Sequence, residues 1–545
     1  MKYNFYIILL LFIGCAGQMP PDGGEFDLEP PKIITTSLPN NSTNFKNGEI
    51  IFGFSEYVDK RSVEESIFIS PPIGEIEFDW SDYEVTLKFS EILRSNTTYS
   101  ISFGTDIVDL NNRNRMSESF NYSFSTGNNI DRGIVSGRVF DIKPDGVLIG
   151  AYLLKNSNDT INPANKIPDY ITQTGKNGNY QFLNLVPGLY RIFAFRDEFR
   201  NLKYDVEVDA IGIPSKDIII SKVDSTETQF NFKLEVEDIS SPRLISAKIL
   251  DENRITFLFS EPIKSSSLKL ENIILTDTIT LQQKKLQGII LTSDEIKDGI
   301  LITEKLSTSN IILEVSNVED LSNNKIKRSN GKVRVTGEIP KNKIKPNLIY
   351  SSLSDTLYLQ QLNTQIKFTF NELIGTDSVK IKGKLLSFDS INVPILLSIS
   401  GGNINIKPKV TLNSNSVYFL NLTNDSTYKY KFYTIDPENV GSIIGVIETS
   451  NDKKSTNYNV EIEKIIIPKV KSKNIVSVKK GESFNIENIE PGNVAIFSFA
   501  DENINGKYDG GKIFPFKTSE KFNYYKDTLR VRARWPIEGV VIRFP

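Results

Sequence analysis

Three stretches of the chain repeat one another, and this repetition restricts the fold more than any other feature of the sequence. GEIIFGFSEYVD at residues 48–59 is matched by NRITFLFSEPIK at 253–264 and, more faintly, by TQIKFTFNELIG at 364–375. In each stretch apolar and polar residues alternate over a strand-length run, which is the period of a half-buried β-strand. The repetition therefore predicts several copies of one strand-rich module.

A second type of unit lies between these copies. YRIFAFRDEFRNLKYD at residues 190–205 aligns closely with VAIFSFADENINGKYD at 494–509, and each follows a shorter matched strand, SGRVFD at 136–141 or IIGVIETS at 443–450. Asn, Ser, Asp, Gly and Pro separate the strands, and we find no amphipathic helix of three turns. Strands at this spacing favour β-sandwiches over a parallel α/β sheet.

The first unit type resembles the bacterial Ig-like domains of the SbsA type. The matched features are the F-x-F-[SN]-E strand end, which carries Glu56, Glu261 and Glu372, and a D-L-x-N-N turn near residues 109 and 320. The second unit resembles Cna protein B-type, transthyretin-like or carboxypeptidase-regulatory-like sandwiches, without any peptidase domain. These resemblances imply an all-β fold: a tandem array of Ig-like and Cna B-like sandwich modules behind a lipoprotein signal peptide.

The repeats also predict where each module begins and ends. The expected order is an Ig-like module, a Cna B-like module, two more Ig-like modules of which the second is degenerate, and a C-terminal Cna B-like module. The predicted bounds are 1–14 for a signal peptide, 15–31 for a lipidated tether, and 32–128, 133–235, 240–337, 345–435 and 440–545 for the five modules.

The N-terminus explains the single cysteine of the chain. Lys2 gives a short positive region, residues 6–13 are an apolar run too short to span a bilayer, and Gly14 precedes Cys15. This pattern is that of a signal peptide. The alternative is an ordinary secretory signal in which the cysteine is accidental.

The residues FIGC at 12–15 resemble a bacterial lipobox, although Phe12 replaces the usual Leu. The resemblance implies that Cys15 is acylated and becomes the mature N-terminus, with residues 16–31 as a flexible tether. The lipobox, the PPDGG tether and the alternating modules together resemble Ig-like-domain lipoproteins of the Bacteroidetes, which implies lipid anchoring in the outer membrane. The AGQMPPD stretch lacks an acidic run resembling a surface-export signal, which slightly favours the periplasmic face.

Composition excludes several functions. The chain has no histidine and one cysteine, so an internal disulfide, a cysteine-rich zinc site and a histidine general base are impossible. Lys and Arg number 64 against 67 Asp and Glu, which gives no electrostatic reason to expect nucleic acid as a partner.

One loop has the spacing of a calcium site. DENINGKYDGG at 501–511 contains D-x-N-x-N-G, where oxygen ligands recur at alternate positions and glycine permits a sharp turn. The candidate ligands are Asp501, Asn503, Asn505 and Asp509, with the carbonyl of Lys507. Because Lys512 stands where an EF-hand needs Glu, the alternative is a turn whose Asp and Asn side chains bond their own backbone. Any calcium bound here would be structural.

The sister loop keeps only part of this pattern. Asp197 and Asp205 correspond to the first and last acidic ligands, whereas Phe199 and Leu202 replace an Asn and the Gly. A calcium ion is therefore expected at the C-terminal copy or at neither.

The strand-end glutamates offer another candidate chemistry, as paired carboxylates of a glycosidase. Each lies in a different repeat, so we expect them to satisfy backbone donors of a neighbouring loop and not to face one another. The sequence therefore predicts no enzyme, but a non-catalytic, lipid-anchored rod for adhesion or scaffolding, with an envelope protein as partner. The alternatives are an accessory subunit of an outer-membrane assembly or secretion complex, or a carbohydrate-binding surface lipoprotein.

Overall fold

The computed structural model describes residues 26–544, apart from residue 47 and the segments 223–224, 292–294, 341–346, 354–358, 361–362, 375–381, 424–426, 450–456 and 465–473. The regular secondary structure of the described residues is almost entirely β-strand, which confirms the predicted all-β fold class. None of its helices combines the length and the apolar character that crossing a bilayer requires.

The first group of strands is a sandwich of two sheets, in the orders β1-β2-β5-β4 and β3-β6-β7. Its core is aromatic, with Phe52, Phe103 and Tyr122 fully buried, because the period-2 pattern turns these side chains inwards. One short helix is N-capped by Asp59. The elements are β1 (Ile33–Thr36), β2 (Glu49–Phe54), α1 (Lys60–Glu65), β3 (Ile67–Ser70), β4 (Ile76–Ser81), β5 (Glu84–Phe89), β6 (Thr98–Phe103) and β7 (Phe120–Ser125).

The second group pairs a sheet in the order β10-β9-β12-β13 with a smaller one in the order β11-β8-β15. The first strand of this group, β8, lies at the centre of the smaller sheet because β15 and β16 pair with it in parallel. The elements are β8 (Gly133–Phe140), β9 (Leu148–Leu154), β10 (Tyr170–Gln173), β11 (Asn179–Leu185), β12 (Gly188–Phe195), β13 (Ala210–Gly212), β14 (Ile218–Ile220), β15 (Thr226–Glu227), β16 (Phe232–Lys233) and β17 (Glu235–Val236).

The third group forms one continuous eight-stranded path, β21-β20-β24-β25-β18-β19-β23-β22, which folds around a single apolar core. The elements are β18 (Leu244–Asp251), β19 (Arg254–Lys264), β20 (Ile273–Asp277), β21 (Gln283–Lys284), β22 (Leu286–Ile290), β23 (Glu295–Thr303), β24 (Ile311–Val315) and β25 (Lys332–Thr336), with short 3-10 turns at Ser265–Ser267, Leu270–Asn272 and Arg328–Asn330.

The fourth group has sheets in the orders β26-β28-β32-β31 and β27-β34-β33-β29-β30. Its core is built from Phe368, Phe370, Ile404 and Ile406. The elements are β26 (Leu348–Ser351), β27 (Leu359–Gln360), β28 (Ile366–Phe370), β29 (Lys382–Ser387), β30 (Asn392–Val393), β31 (Ile395–Ser400), β32 (Asn403–Pro408), β33 (Val417–Thr423) and β34 (Thr427–Thr434).

The fifth group repeats the plan of the second, with the orders β38-β35-β42 and β37-β36-β39-β40. Here too a late strand, β42, returns parallel to the first strand, β35. The elements are a 3-10 turn at Pro437–Asn439 and β35 (Gly441–Thr449), β36 (Asn457–Lys464), β37 (Asn474–Lys479), β38 (Ser483–Ile489), β39 (Gly492–Ala500), β40 (Phe522–Tyr524), β41 (Leu529–Val531) and β42 (Pro536–Phe544).

The chain divides into two compact units, one of residues 1–235 with 510–519, the other of residues 236–509 with 520–545. In the first unit, direct hydrogen bonds join the first two strand groups. The Thr105 hydroxyl donates to the Thr174 carbonyl at 3.0 Å, and the Ser100 hydroxyl donates to the Leu183 carbonyl on the edge strand β11 at 3.1 Å. The bond to Leu183 satisfies a carbonyl on an edge strand, and the bond to Thr174 adds a second donor to a carbonyl that already accepts from the Gly146 amide.

Residues 510–519 complete the outer face of the second strand group. Ile513 is buried in an apolar cluster with Phe193, and the Phe516 ring centroid lies 3.6 Å from the guanidinium carbon of Arg191. Arg191 is only 2% exposed and forms a bidentate ion pair with Asp217 at 2.8 Å. The ring therefore covers a buried, paired cation, an arrangement in which a cation–π contact is strongest.

In the second unit, a buried ion pair links the third and fourth strand groups. Arg254 and Asp251 are 2% and 0% exposed, their Nε and Oδ2 atoms are 2.9 Å apart, and Arg254 Nη1 donates to the Asn371 carbonyl at 3.0 Å. Beside them, Leu373 packs on Ile290 and Ile302. A charge buried this deeply is tolerated because both its carboxylate partner and an additional acceptor are present.

Candidate functional site

Cys15 lies outside the described residues, so its acylation stays a prediction. The five module boundaries also stay predictions. Every other candidate residue has a described environment.

The candidate calcium loop is held by its own side chains. The carboxylate of Asp501 accepts from the amides of Asn505 at 3.0 Å and Gly506 at 2.8 Å, and from the side chain of Asn459 at 2.7 Å. The Asn505 side chain accepts from the Lys507 amide at 2.7 Å, and Asn503 donates to Asp509. Each predicted ligand therefore takes part in a hydrogen bond within the protein.

A carboxylate that the sequence did not reveal closes this loop. Glu520 accepts from the amides of Glu502 and Asp509, both at 3.0 Å, and is nearly buried. Burial, followed by repulsion from Asp509 and Asp501, raises the pKa of Glu520 to about 7. The loop therefore concentrates three carboxylates, one of which has a pKa raised to about 7.

The sister loop has the same bonds at the same offsets. Asp197 accepts from the amides of Asn201 at 3.0 Å and Leu202 at 2.8 Å, four and five residues later, as Asp501 does. Asp209 takes the place of Glu520, accepting from Glu198 and Asp205. Leu202 even adopts the positive φ of Gly506, 61° against 73°.

The loop thus reaches one conformation in both copies, although the sister copy lacks the Asn and Gly of the calcium pattern. This favours the alternative of a self-capped turn as the source of the loop's shape. Calcium at Asp501, Asn503, Asn505 and Asp509 stays a prediction, because carboxylates that accept backbone bonds keep lone pairs for an ion.

Acidic side chains also converge at one end of the first sandwich. Oxygen atoms of Asp27, Glu56 and Asp109 lie within 4.8 Å of one another. Asp109 is fully buried and accepts from the amides of Asn112, Arg113 and Asn114 at 2.8–3.2 Å, so it caps the D-L-x-N-N turn.

The third strand group repeats this cluster with Asp238, Glu261 and Asp320. In both copies an Asn of the turn donates to the carbonyl of the first Asp: Asn114 to Asp27 at 3.0 Å, and Asn324 to Asp238 at 2.9 Å. The recurring contact closes the start of the module onto its turn.

The pKa values of the strand-end glutamates in these two clusters are raised. Burial, followed by the charge of Asp27, raises the pKa of Glu56, and burial followed by Asp238 raises the pKa of Glu261. The two carboxylates lie in separate groups of strands, each inside an acidic cluster of its own.

The role that we expected of the glutamates belongs to the residue before them. The hydroxyls of Ser55 and Ser260 accept from the amides of Lys32 and Arg243, each at 3.0 Å. In the fourth group Asn371 accepts from the Asn347 amide at 2.8 Å in the same position. We expected the strand-end glutamates to satisfy these backbone donors, and this expectation was wrong. The Ser or Asn before each glutamate has its side chain directed towards the start of the adjoining strand and accepts the bond instead. The F-x-F-[SN]-E pattern already contained this signal.

A polar groove of about 580 Å³ lies between the first two strand groups. Its charged residues are Glu118, Arg138 and Lys176, and its aromatic residue is Tyr180, whose hydroxyl donates to the Phe230 carbonyl at 2.6 Å. The groove thus has a single carboxylate and a single, buried ring. Neither a carboxylate pair nor a row of aromatic platforms lines it.

Comparison with known proteins agrees with this fold. A family model described as "Bacterial Ig-like domain" matches residues 27–126. The match begins at Asp27, whose carbonyl accepts a hydrogen bond from the Asn114 side chain of the turn. No curated protein matches the chain.

Similar solved structures are distant. The N-terminal part of the bacterial S-layer protein SbsC is 11% identical, with a TM-score of 0.17, over 36% of this chain and 45% of that one. Domains 1–6 of SbsC are 10% identical over 92% and 67%, with a TM-score of 0.17, and the major pilin subunit BcpA of Bacillus cereus is 11% identical over 76% and 99%, with a TM-score of 0.13. The chain spans less than half of the first of these.

Proposed function

We propose that this chain is a non-catalytic cell-envelope protein for adhesion or scaffolding, fixed to the outer membrane by a lipid on Cys15. The observation that carries the proposal is how its polar side chains are used. Asp109, Asp320, Asp197 and Asp501 all cap backbone turns, so the groups that resemble catalytic or ligating residues maintain loop shape. A protein built this way presents fixed surfaces for contact.

The anchor is tested by replacing Cys15 with Ser. We expect the variant to leave the membrane fraction, because stable attachment needs acyl chains on that sulfur. Full retention of the variant in membranes would contradict the anchor, and mass spectrometry of the native N-terminal peptide would identify the lipid directly.

The partner is tested by affinity purification of the lipidated chain in mild detergent, with mass spectrometry of what copurifies. We expect one or a few envelope proteins in stoichiometric amount. A turnover of any substrate that disappears when one side chain is replaced would contradict the non-catalytic part of the proposal. Copurification of a complete secretion or assembly complex would favour the alternative of an accessory subunit.

The polar groove supports the alternative of a carbohydrate-binding lipoprotein. Asn, Gln and Ser side chains line it, and such amides and hydroxyls can bond sugar hydroxyls. Titration with envelope polysaccharides tests this, comparing the native chain with an Arg138→Ala variant. Binding that the variant weakens would favour the carbohydrate function.

The calcium prediction is tested by titrating the apo protein with Ca²⁺ in weakly buffered solution near neutral pH. Because Glu520 is partly protonated there, an ion at Asp501 would release protons. Asp501→Asn should abolish the release, whereas Asp197→Asn should not. Absence of proton release and of heat at millimolar Ca²⁺ would leave the loop as a self-capped turn.

A further inference from the structure

The first and fourth strand groups contain the same sheet. Its order is β1-β2-β5-β4 in the first and β26-β28-β32-β31 in the fourth. The edge strands β4 and β31 pair with their neighbours in one register: Glu77 faces Lys88, as Leu396 faces Lys407, and a two-residue turn joins each pair of strands. The two edges are therefore equivalent residue by residue.

The exposed positions on these two edges carry different chemistry. On β4 they are Glu77 and Asp79, and Asp79 pairs with Lys88 at 2.9 Å. On β31 the same positions are Leu396, which is 56% exposed, and Ser398. Charges on an edge strand hinder pairing with another strand, and β31 lacks them entirely.

In the third group the corresponding edge strand is β22, which lies beside β23 as β4 lies beside β5. Leu373 packs over the face of β22 at Gly288, where a Cβ atom would be 2.8 Å from the Leu373 side chain. Among the described residues, β31 therefore combines an uncharged edge with the exposed Leu396, whereas β4 is charged and β22 has a covered face.

The backbone of β31 is also oriented for pairing. The turn Gly401-Gly402 makes Ser400 and Asn403 the closing bonded pair of the hairpin, so alternate residues bond β32. The amides and carbonyls of Ile395, Leu397 and Ile399 consequently point away from β32. Pro408 opposite Ile395 agrees with this, since it has no amide hydrogen to donate.

We propose that β31 pairs with β31 of a second copy of this chain, antiparallel, about a two-fold axis at Leu397. This rests on the proposed scaffolding function and names one partner for it. The pairing forms about six backbone hydrogen bonds and places Leu396 opposite Ser398 of the other copy. A second copy is the occupant because self-pairing sets no like charges opposite one another, whereas the same pairing of β4 would set Glu77 against Asp79.

The proposal is tested by placing the two acidic residues of β4 at the equivalent positions of β31. In the full chain with Cys15→Ser, we expect a concentration-dependent dimer by sedimentation velocity between about 1 and about 100 μM. Leu396→Glu with Ser398→Asp should weaken it at least tenfold, and β4 shows that this sheet accepts both acids beside a Lys. The control is Ile245→Glu, at an exposed apolar position on the interior strand β18, which should leave association unchanged.

The register is tested by disulfide trapping, since Cys15→Ser leaves no other thiol. Chains with Leu396→Cys mixed with chains with Ser398→Cys should cross-link faster than either alone, because those two positions are opposite. Three results would overturn the proposal. The chain could remain monomeric at every concentration, the dimer could be unaffected by Leu396→Glu with Ser398→Asp, or mixed and single samples could cross-link at the same rate. None of these results affects the test of the scaffolding function, which is capture of a different envelope protein.

Discussion

The first and fourth groups of strands share a backbone plan but not the polar chemistry placed on it. In both, the first strand pairs with the second through a bulge at the same point: Ile33 faces Phe54 in one, Leu348 faces Phe370 in the other, and the register then shifts. The first group adds an acidic cluster at Asp27, Glu56 and Asp109. The fourth keeps Glu372, for which no such cluster occurs among the described residues.

The difference shows which positions specify the fold. Phe52 and Phe54 are buried as Phe368 and Phe370 are, so inward alternation and the bulge suffice to build the sheet. The acidic cluster and the edge charges are additions that one module has and another lacks. They therefore act on turn stability and on association, which the following predictions separate.

The largest expected effect is the loss of the buried cap in the first group. Asp109→Ala should destabilise residues 107–116 by roughly 3 kcal/mol, because three amides lose their acceptor in a buried turn. Hydrogen exchange measured by mass spectrometry reports this locally, as a chain of several modules does not unfold in two states.

Two variants control this prediction. Asp320→Ala should have a similar effect on the third group, whereas Glu372→Ala in the fourth should change exchange by less than about 0.5 kcal/mol. Equal protection at all three sites would show that the acidic cap is dispensable.

Converting the edge of the first group into that of the fourth should create a second association site. Glu77→Leu with Asp79→Ser removes the charges that oppose self-pairing, so association should tighten about tenfold, or about 1.4 kcal/mol. Sedimentation velocity checks this. Unchanged association would mean that edge charge does not govern pairing in this sheet.

A smaller effect, equal in both groups, is expected at the residue before the glutamate. Ser55→Ala and Asn371→Ala each remove one side-chain acceptor for a backbone amide, which costs about 1 kcal/mol. Hydrogen exchange at Lys32 and Asn347 provides the measurement. A large effect in only one group would break the equivalence of the two sheets.

The smallest effect is a pH dependence confined to groups with the acidic cluster. The folded-state pKa of Glu56 is raised, so the folded protein binds its proton more readily than the unfolded chain does. The charged carboxylate thus weakens the fold above that raised pKa, and the penalty vanishes below the ordinary value of 4.5. Glu56→Gln should raise the thermal midpoint of the first module at pH 7 but not at pH 4, and an equal rise at both pH values would contradict this prediction.

The strand repeats revealed the fold because alternation and turn residues act locally. The pairs 48–59 with 253–264 and 190–205 with 494–509 predict both kinds of sandwich from the sequence alone. Asp501 was found from spacing for the same reason.

Residues that act across long separations could not be found in this way. Glu520 closes its loop from 19 positions beyond Asp501, whereas Asp209 does so from 12 beyond Asp197, so their equivalence has no shared spacing. The packing of Phe516 on Arg191 joins residues separated by more than half the chain and has no local pattern either.

That packing has a consequence for the order of synthesis. Arg191 and Phe193 leave the ribosome long before Ile513 and Phe516 are synthesised, so until then the second sandwich exposes an apolar face beside the Arg191–Asp217 ion pair. A nascent chain, or one truncated anywhere between residues 236 and 509, therefore exposes an apolar surface that chaperones and proteases can bind. Only residues 510–519 cover this face, so the second sandwich is complete only after more than nine-tenths of the given chain has been made.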